Sequence, residues 1–142
     1  PFDEQLEPAV AACLIGGGEL APFLPLAEGQ RLGNGGERDP NFRLAAFYAA
    51  VQAGALQALM ELERLKRWQA RARDTTADLS GRTPPKLIET ALRFPVFPAE
   101  LLAQAAGCSS VSARRNLNLF VDRGLLKEIT GQERYRFWTV KI

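Results

Sequence analysis

The sequence contains no histidine, and this absence excludes several kinds of chemistry. A Ser-His-Asp triad, a Cys-His pair and a zinc site with imidazole ligands all need that residue. Cysteine is scarce as well, because Cys13 and Cys108 lie far apart and neither has a CxxC partner. We expect two reduced packing cysteines in a cytoplasmic protein, with no metal, no cofactor and no enzymatic activity.

Long apolar runs are also missing. The longest uncharged one, Ala9 to Ile15, is far shorter than the roughly 20 residues that cross a bilayer, and no basic region precedes it as in a secretory signal. With 46% apolar and 24% charged residues, the composition is that of a soluble folded protein. The 142 residues suffice for one ordinary domain or two very small ones, and the start at Pro1 leaves open a longer parent protein.

Charge is unevenly distributed along the chain. Residues 1–40 hold 2 basic and 7 acidic side chains, residues 41–82 hold 7 and 4, and residues 83–142 hold 9 and 5. An acidic N-terminal part and a basic C-terminal part are expected when only the C-terminal part binds a polyanion. A charged surface that is simply solvated gives the same pattern.

The positions of glycine and proline along the chain predict three segments. Residues 1–40 form a Gly/Pro-rich N-terminal segment with a short helix from about Leu6 to Leu14. Residues 41–82 form a long amphipathic helix, from Asn41 to about Arg73, and a hinge. Asp39 can cap this helix, with Pro40 in its first position.

The long helix has an apolar stripe that must be covered. We expect the 42–73 helix either to mediate a homodimer through this stripe, from Val51 to Trp68, or to pack against residues 1–40. Several basic side chains surround its second half, and they fit either a solvated surface or contacts with phosphate. The basic residues are Arg64, Lys66, Arg67, Arg71 and Arg73.

Residues 83–142 predict three helices with tight connections. Thr83 followed by two prolines is a strong helix start, with the threonine hydroxyl as the cap. A second helix opens at Pro98-Ala99-Glu100 and ends at Gly107, where a left-handed residue is favoured. A third runs from Ser110 to Arg123 behind a Ser109 cap, and Gly124 ends it.

The third helix has two distinct faces. At about 100° per residue, its buried side holds Ala113, Leu117, Phe120 and Val121. The opposite side presents a polar set whose members suit base edges or phosphate oxygens in a major groove. This set consists of Ser112, Arg114, Arg115 and Asn118, and Val111 and Asp122 also lie on the outward side.

A β-hairpin follows, with strands at 125–129 and 135–140 and a turn between them. A hairpin after a helix-turn-helix is a wing, and Lys127, Arg134 and Arg136 lie on or near it, where they can reach the DNA backbone or minor groove. The expected fold class is therefore mainly α: a long helix plus a C-terminal winged helix-turn-helix with a small β-hairpin wing.

Two family resemblances accompany this pattern. The run from Pro95 to Leu126, with Gly107-Cys108-Ser109, Ser112–Leu117 and Val121–Leu126, resembles the winged helix-turn-helix at the C-terminus of many Fic-family proteins, and the Phe42–Arg73 helix is similar to the helix that precedes that module. The chain also resembles a bacterial family, common on rhizobial plasmids, that carries a domain of unknown function before a helix-turn-helix. The ending Thr130–Trp138 carries that second resemblance.

The catalytic signature of the Fic family is absent. The AMP-transferring members use a motif with a histidine and a Gly-Asn-Gly-Arg loop, whereas this chain has Gly33-Asn34-Gly35-Gly36 and no histidine. No residue can therefore take over the catalytic role. A C-terminal regulatory fragment of a larger Fic-type protein stays open as an alternative.

We expect sequence-specific binding of double-stranded DNA and transcriptional regulation. A winged-helix module that binds another protein is a further alternative. Arg115 and Asn118 are the expected base readers, and Ser112, Arg114, Arg134 and Arg136 the expected phosphate contacts. The full expected DNA-binding set is Ser109, Ser110, Ser112, Arg114, Arg115, Asn118, Lys127, Arg134 and Arg136.

Overall fold

The computed structural model describes residues 2–17, 23–27, 39–132 and 135–142, with side chains from Ala9 onward in the first range. The described part is mainly helical with a small antiparallel sheet, which confirms the expected fold class. No helix among these residues is long and apolar enough to cross a membrane. The helices are α1 (Phe2–Gly16), α2 (Pro40–Thr75), α3 (Thr83–Ala91), α4 (Ala99–Ala106) and α5 (Ser110–Asp122), and the strands are β1 (Phe97–Pro98), β2 (Leu126–Glu128) and β3 (Phe137–Val140).

The chain forms two compact units, Pro1–Leu62 and Glu63–Ile142. The division expected from the sequence grouped residues 41–82 together and began the last segment at residue 83. Contacts instead join the end of α2 to the C-terminal unit, where Trp68 and Ala72 belong to the hydrophobic core. The C-terminal unit thus begins inside a helix, which the local sequence pattern does not reveal.

In the N-terminal unit, residues 23–27 contact both α1 and α2. The backbone N–H of Leu24 donates to Ala12 O, and that of Ala27 donates to Ala50 O. Gly54 permits this approach, because a Cβ at that position would collide with the carbonyl of Pro25. The helix α1 is longer at both ends than the expected Leu6–Leu14.

The C-terminal unit has the order α3, β1, α4, α5, β2, β3, and its sheet has the order β1-β3-β2. The hairpin expected from the sequence is present as β2 and β3, with Lys127 opposite Thr139. The strand β1 was not expected; Phe97 lies opposite Trp138 in the ladder. The core beneath this sheet includes Leu87, Ile88, Leu102, Leu117, Phe120, Leu125 and Trp138, all nearly inaccessible to solvent.

The helix ends largely follow the expected capping. The Asp39 carboxylate accepts a 2.9 Å hydrogen bond from the N–H of Asn41 at the start of α2. Gly107 has φ 66° and ends α4 in the left-handed region, and Ser109 Oγ accepts from the N–H of Ser112 at 3.2 Å. The threonine cap of α3 was wrong: Thr83 is already helical, and the capping position falls to Arg82 without a side-chain hydrogen bond.

The expected hinge, from Asp78 to Arg82, is bonded to the end of α5 through Asp78. Arg123 donates to the carbonyl of Thr75 at 2.5 Å and to both carboxylate oxygens of Asp78 at 2.5 and 2.7 Å. This bidentate pairing raises the pKa of Arg123 and lowers that of Asp78. The segment after α2 is therefore fastened to the helix that we expect to read DNA.

Candidate nucleic-acid interface

Helix α5 has the two faces that its sequence predicts. Ala113, Leu117 and Phe120 are buried, and Val121 is half-buried. On the opposite side Arg115, Asn118 and Asp122 are exposed, together with Val111, whose exposed fraction is 81%. None of the described residues of the C-terminal unit covers this outer face.

Serine side chains surround the start of α5. Ser109 and Ser110 are exposed, and the hydroxyl of Ser109 is engaged in capping. Ser112 is half-buried, and its carbonyl accepts a 2.8 Å hydrogen bond from Asn116 Nδ2. The first turn therefore offers the hydroxyl groups of Ser110 and Ser112 beside the outer face.

The two adjacent arginines differ in their surroundings. Arg114 forms a 2.8 Å ion pair with Glu100 at the start of α4, and both side chains are more than half exposed. Arg115 is exposed and has no ion pair or side-chain hydrogen bond to any residue that the structure describes. Lys127 on β2 is exposed and likewise unpaired within the described ranges.

Arg136 joins the wing to α5. Its guanidinium donates to Glu128 Oε2 at 3.3 Å and to Asn118 Oδ1 at 3.4 Å, and it lies 5.1 Å from the centre of the Trp138 ring. Its side chain is only 30% exposed. These contacts link Arg136 to Asn118 and Glu128, partners that sequence reasoning missed.

Glu128 organises the turn of the wing. Its Oε1 accepts hydrogen bonds from the hydroxyl and N–H of Thr130 and from the N–H of Gly131. These bonds stabilise the carboxylate and, with Arg136 nearby, lower the pKa of Glu128. The short Glu-Ile-Thr-Gly run was the available signal for this turn, since a side chain can accept from backbone groups two or three residues later.

The expected site is only partly brought together. Arg115, Asn118 and the first turn of α5 share one exposed surface, and Asn118 contacts Arg136 of the wing. Arg134 lies outside the described residues. Within the described ranges no three His, Cys, Asp or Glu residues converge as metal ligands, and Cys13 and Cys108 are free thiols.

Comparisons with protein-family models, with curated proteins and with solved structures yield no match to this chain. The resemblances to the Fic C-terminal module and to the rhizobial family thus stay predictions. Functional reasoning proceeds from the geometry of α5 and the wing.

Proposed function

We propose that this chain binds double-stranded DNA in a sequence-specific manner through its winged helix-turn-helix and acts as a transcriptional regulator in the cytoplasm. The observation that carries the proposal is the uncovered outer face of α5, where Arg115 is exposed and unpaired among the described residues. A helix of this kind, supported by a second helix and flanked by a β-hairpin, suits insertion into a major groove.

Each polar side chain has a distinct role in the proposed complex. Arg115 and Asn118 read base edges, and Arg136 holds the Oδ1 of Asn118 at 3.4 Å. Arg114, Ser112 and Lys127 contact phosphate, and the sequence adds Arg134, which lies outside the described residues, to this set. Contacts with phosphate dominate affinity, and contacts with bases determine specificity.

Selection of bound duplexes from a random pool tests the proposal. We expect a recurrent sequence to be enriched and its affinity to fall steeply as salt rises, because bound counterions are released from DNA. Binding of the selected duplex should weaken in the Arg114→Ala/Arg115→Ala double variant. If this variant binds the duplex as well as the wild type does, α5 is not the reading helix.

A homodimer is the accompanying proposal, since one winged helix covers little DNA and two copies read two half-sites. The candidate surface lies on the part of α2 in the N-terminal unit, because Trp68 is buried in the C-terminal core. The exposed apolar side chains there are Phe42, Leu44, Tyr48, Leu56, Leu59, Met60 and Leu62.

Binding of another protein is a second candidate function, favoured by exposed apolar side chains on α5 and near the wing. Val111 is 81% exposed, Tyr135 84% and Phe137 37%. Aromatic side chains such as Tyr135 and Phe137 are typical anchors of protein interfaces. A protein partner whose binding is insensitive to salt, together with no retardation of DNA, would favour this candidate. The Fic-type alternative is tested by searching the reading frame upstream of Pro1 for a histidine-containing signature.

A further inference from the structure

A cleft of about 610 Å³ lies between the starts of α4 and β3, next to α5. Sites for small molecules commonly measure about 300–1,000 Å³. The cleft has an aromatic lining formed by Tyr135, Phe137 and Trp138. Among the described residues, the charged groups of the lining are Glu100, Arg114 and Arg136, two of them basic and one acidic.

Two residues of this lining have buried N–H groups without an acceptor. Trp138 Nε1 and Arg136 Nε make no hydrogen bond within the described part of the chain. The other tryptophan differs, because Trp68 Nε1 donates to Leu125 O at 2.7 Å. A buried donor without a partner is unfavourable, so each of these two groups would gain from an acceptor.

The backbone beside the cleft is also unusual. Tyr135 has φ 56°, a conformation that bulky residues rarely adopt, and its side chain is 84% exposed. Residues held in such conformations cluster at binding sites, where surrounding structure maintains them. The exposed Tyr135 ring thus forms one apolar side of the cleft, although its backbone conformation is one that tyrosine rarely adopts.

We infer that this cleft binds a small aromatic carboxylate. The carboxylate oxygens accept from Arg114, which has guanidinium donors beyond the one engaged with Glu100 at 2.8 Å. The aromatic ring covers the lining formed by Tyr135 and Phe137. The lining is mainly apolar and includes Trp138, whose exposed fraction is 1%. It therefore favours an aromatic ligand over a segment of DNA backbone as the occupant.

Occupancy of the cleft weakens DNA binding, a step that rests on the proposed function. A carboxylate bound to Arg114 neutralises a cation that the proposed complex places against phosphate. Because coupling between two ligands is reciprocal, DNA weakens binding of the carboxylate by the same factor.

Nuclear magnetic resonance of the full chain tests the cleft without DNA. The two tryptophans give two indole N–H signals, which Trp68→Phe and Trp138→Phe variants assign. With millimolar benzoate as the probe, we expect the Trp138 signal to shift and the Trp68 signal to stay. Benzyl alcohol keeps the aromatic ring of benzoate, and acetate keeps its carboxylate. Each should bind more weakly than benzoate by a factor of about ten or more, since a charge-assisted hydrogen bond or the ring contact is lost.

Charge-removing variants locate the probe. Arg114→Gln should weaken benzoate binding about tenfold through loss of a hydrogen bond to a charged group. Arg93→Gln is the matched control, because Arg93 is exposed on the loop after α3 and lies outside the cleft. The inference is overturned if benzoate leaves the Trp138 signal in place, or if it shifts that signal equally in Arg114→Gln and wild type.

Fluorescence anisotropy with a selected duplex tests the coupling. We expect benzoate to lower the affinity of the wild type and to leave that of Arg114→Gln unchanged. Unchanged wild-type affinity at saturating benzoate would overturn the coupling. If the wild type binds no duplex at all, the proposed function fails, and the indole signals still decide whether the cleft binds the carboxylate.

Discussion

Two neighbouring arginines on α5 lead to different expectations because their surroundings differ. Arg114 is paired with Glu100 at 2.8 Å, whereas Arg115 is unpaired among the described residues and lies on the outer face. We expect Arg115→Ala to cost about 1–3 kcal/mol on a selected duplex and to relax preference at one base position. Arg114→Ala should weaken binding to all duplexes similarly and flatten the dependence on salt. Anisotropy titrations over a range of salt concentrations separate the two effects.

Arg93→Ala serves as the control, because it removes the same charge from an exposed position outside α5 and the wing. Its affinity for the selected duplex should stay near that of the wild type. Equal losses in the Arg93 and Arg115 variants, with base preference retained in both, would contradict a reading role for Arg115.

The carboxylate of Glu128 gives a prediction for pH. Its pKa is lowered in the folded state by hydrogen bonds from Thr130 and Gly131 and by Arg136, so the unfolded state binds its proton more tightly. The stability it contributes is present above the unfolded pKa and is lost as pH falls through the folded pKa. At neutral pH we expect the wild type to have a higher free energy of unfolding than Glu128→Gln. In acid we expect the two values to converge. Urea titrations over that pH range measure this, and a constant difference would contradict it.

Sequence reasoning at the scale of residues succeeds where a local rule applies. The outward position of Arg115 follows from helical periodicity alone. The partners of Arg114 and Arg136 do not, because Glu100 and Asn118 lie 14 and 18 residues away and meet them only after the helices pack. For the same reason the contact between Arg136 and Asn118 could not be predicted.

Single helices were predictable to the extent that their ends depend on local backbone chemistry. Gly107 and Ser109 were identified because a left-handed residue and a hydroxyl cap have clear preferences. The cap of α3 failed for a related reason: Pro84 and Pro85 have no N–H, so a threonine oxygen has few donors to accept from. The strand β1 was missed because two residues, one of them proline, show no alternation.

The turn between α4 and α5 depends on the conformation of Gly107. A Cβ at this position meets nothing within 4 Å, so the cost of a side chain comes from the backbone, whose φ is 66°. We expect Gly107→Ala to lower the free energy of unfolding by about 1–2 kcal/mol. Urea denaturation measures it, with Gln104→Ala as an exposed helical control that should change little. A neutral Gly107→Ala variant would contradict the assigned conformation.

The proposed association through α2 concerns the whole molecule. Leu59 and Leu62 are more than half exposed in the N-terminal unit. We expect sedimentation to show a dimer that dissociates on dilution, and Leu59→Glu/Leu62→Glu to give a monomer because charges replace apolar contacts. Lys66→Glu, on the same helix but already exposed and charged, should leave the dimer intact. A wild type that sediments as a monomer at all concentrations removes the dimer.

The boundary of the C-terminal unit inside α2 determines which fragment can fold. Trp68 is 2% exposed, its indole donates to Leu125 O at 2.7 Å, and Arg71 donates to Lys141 O at 2.5 Å. A fragment of residues 83–142 lacks all these contacts, although it contains the complete winged helix-turn-helix. We therefore expect residues 63–142 to unfold cooperatively on heating and residues 83–142 to show no cooperative transition.

The tryptophan itself provides the decisive variant of this comparison. Trp68→Ala in the 142-residue chain removes a large buried side chain and a buried hydrogen bond, and should cost about 3–5 kcal/mol in the transition of the C-terminal unit. Trp68→Phe restores part of the volume without the N–H donor, leaves the Leu125 carbonyl with the N–H of Lys141 as its donor and should lose less. Circular dichroism during urea denaturation ranks the three proteins. If residues 83–142 unfold with the midpoint of residues 63–142, the end of α2 is not part of this core, and α5 is held in place without it.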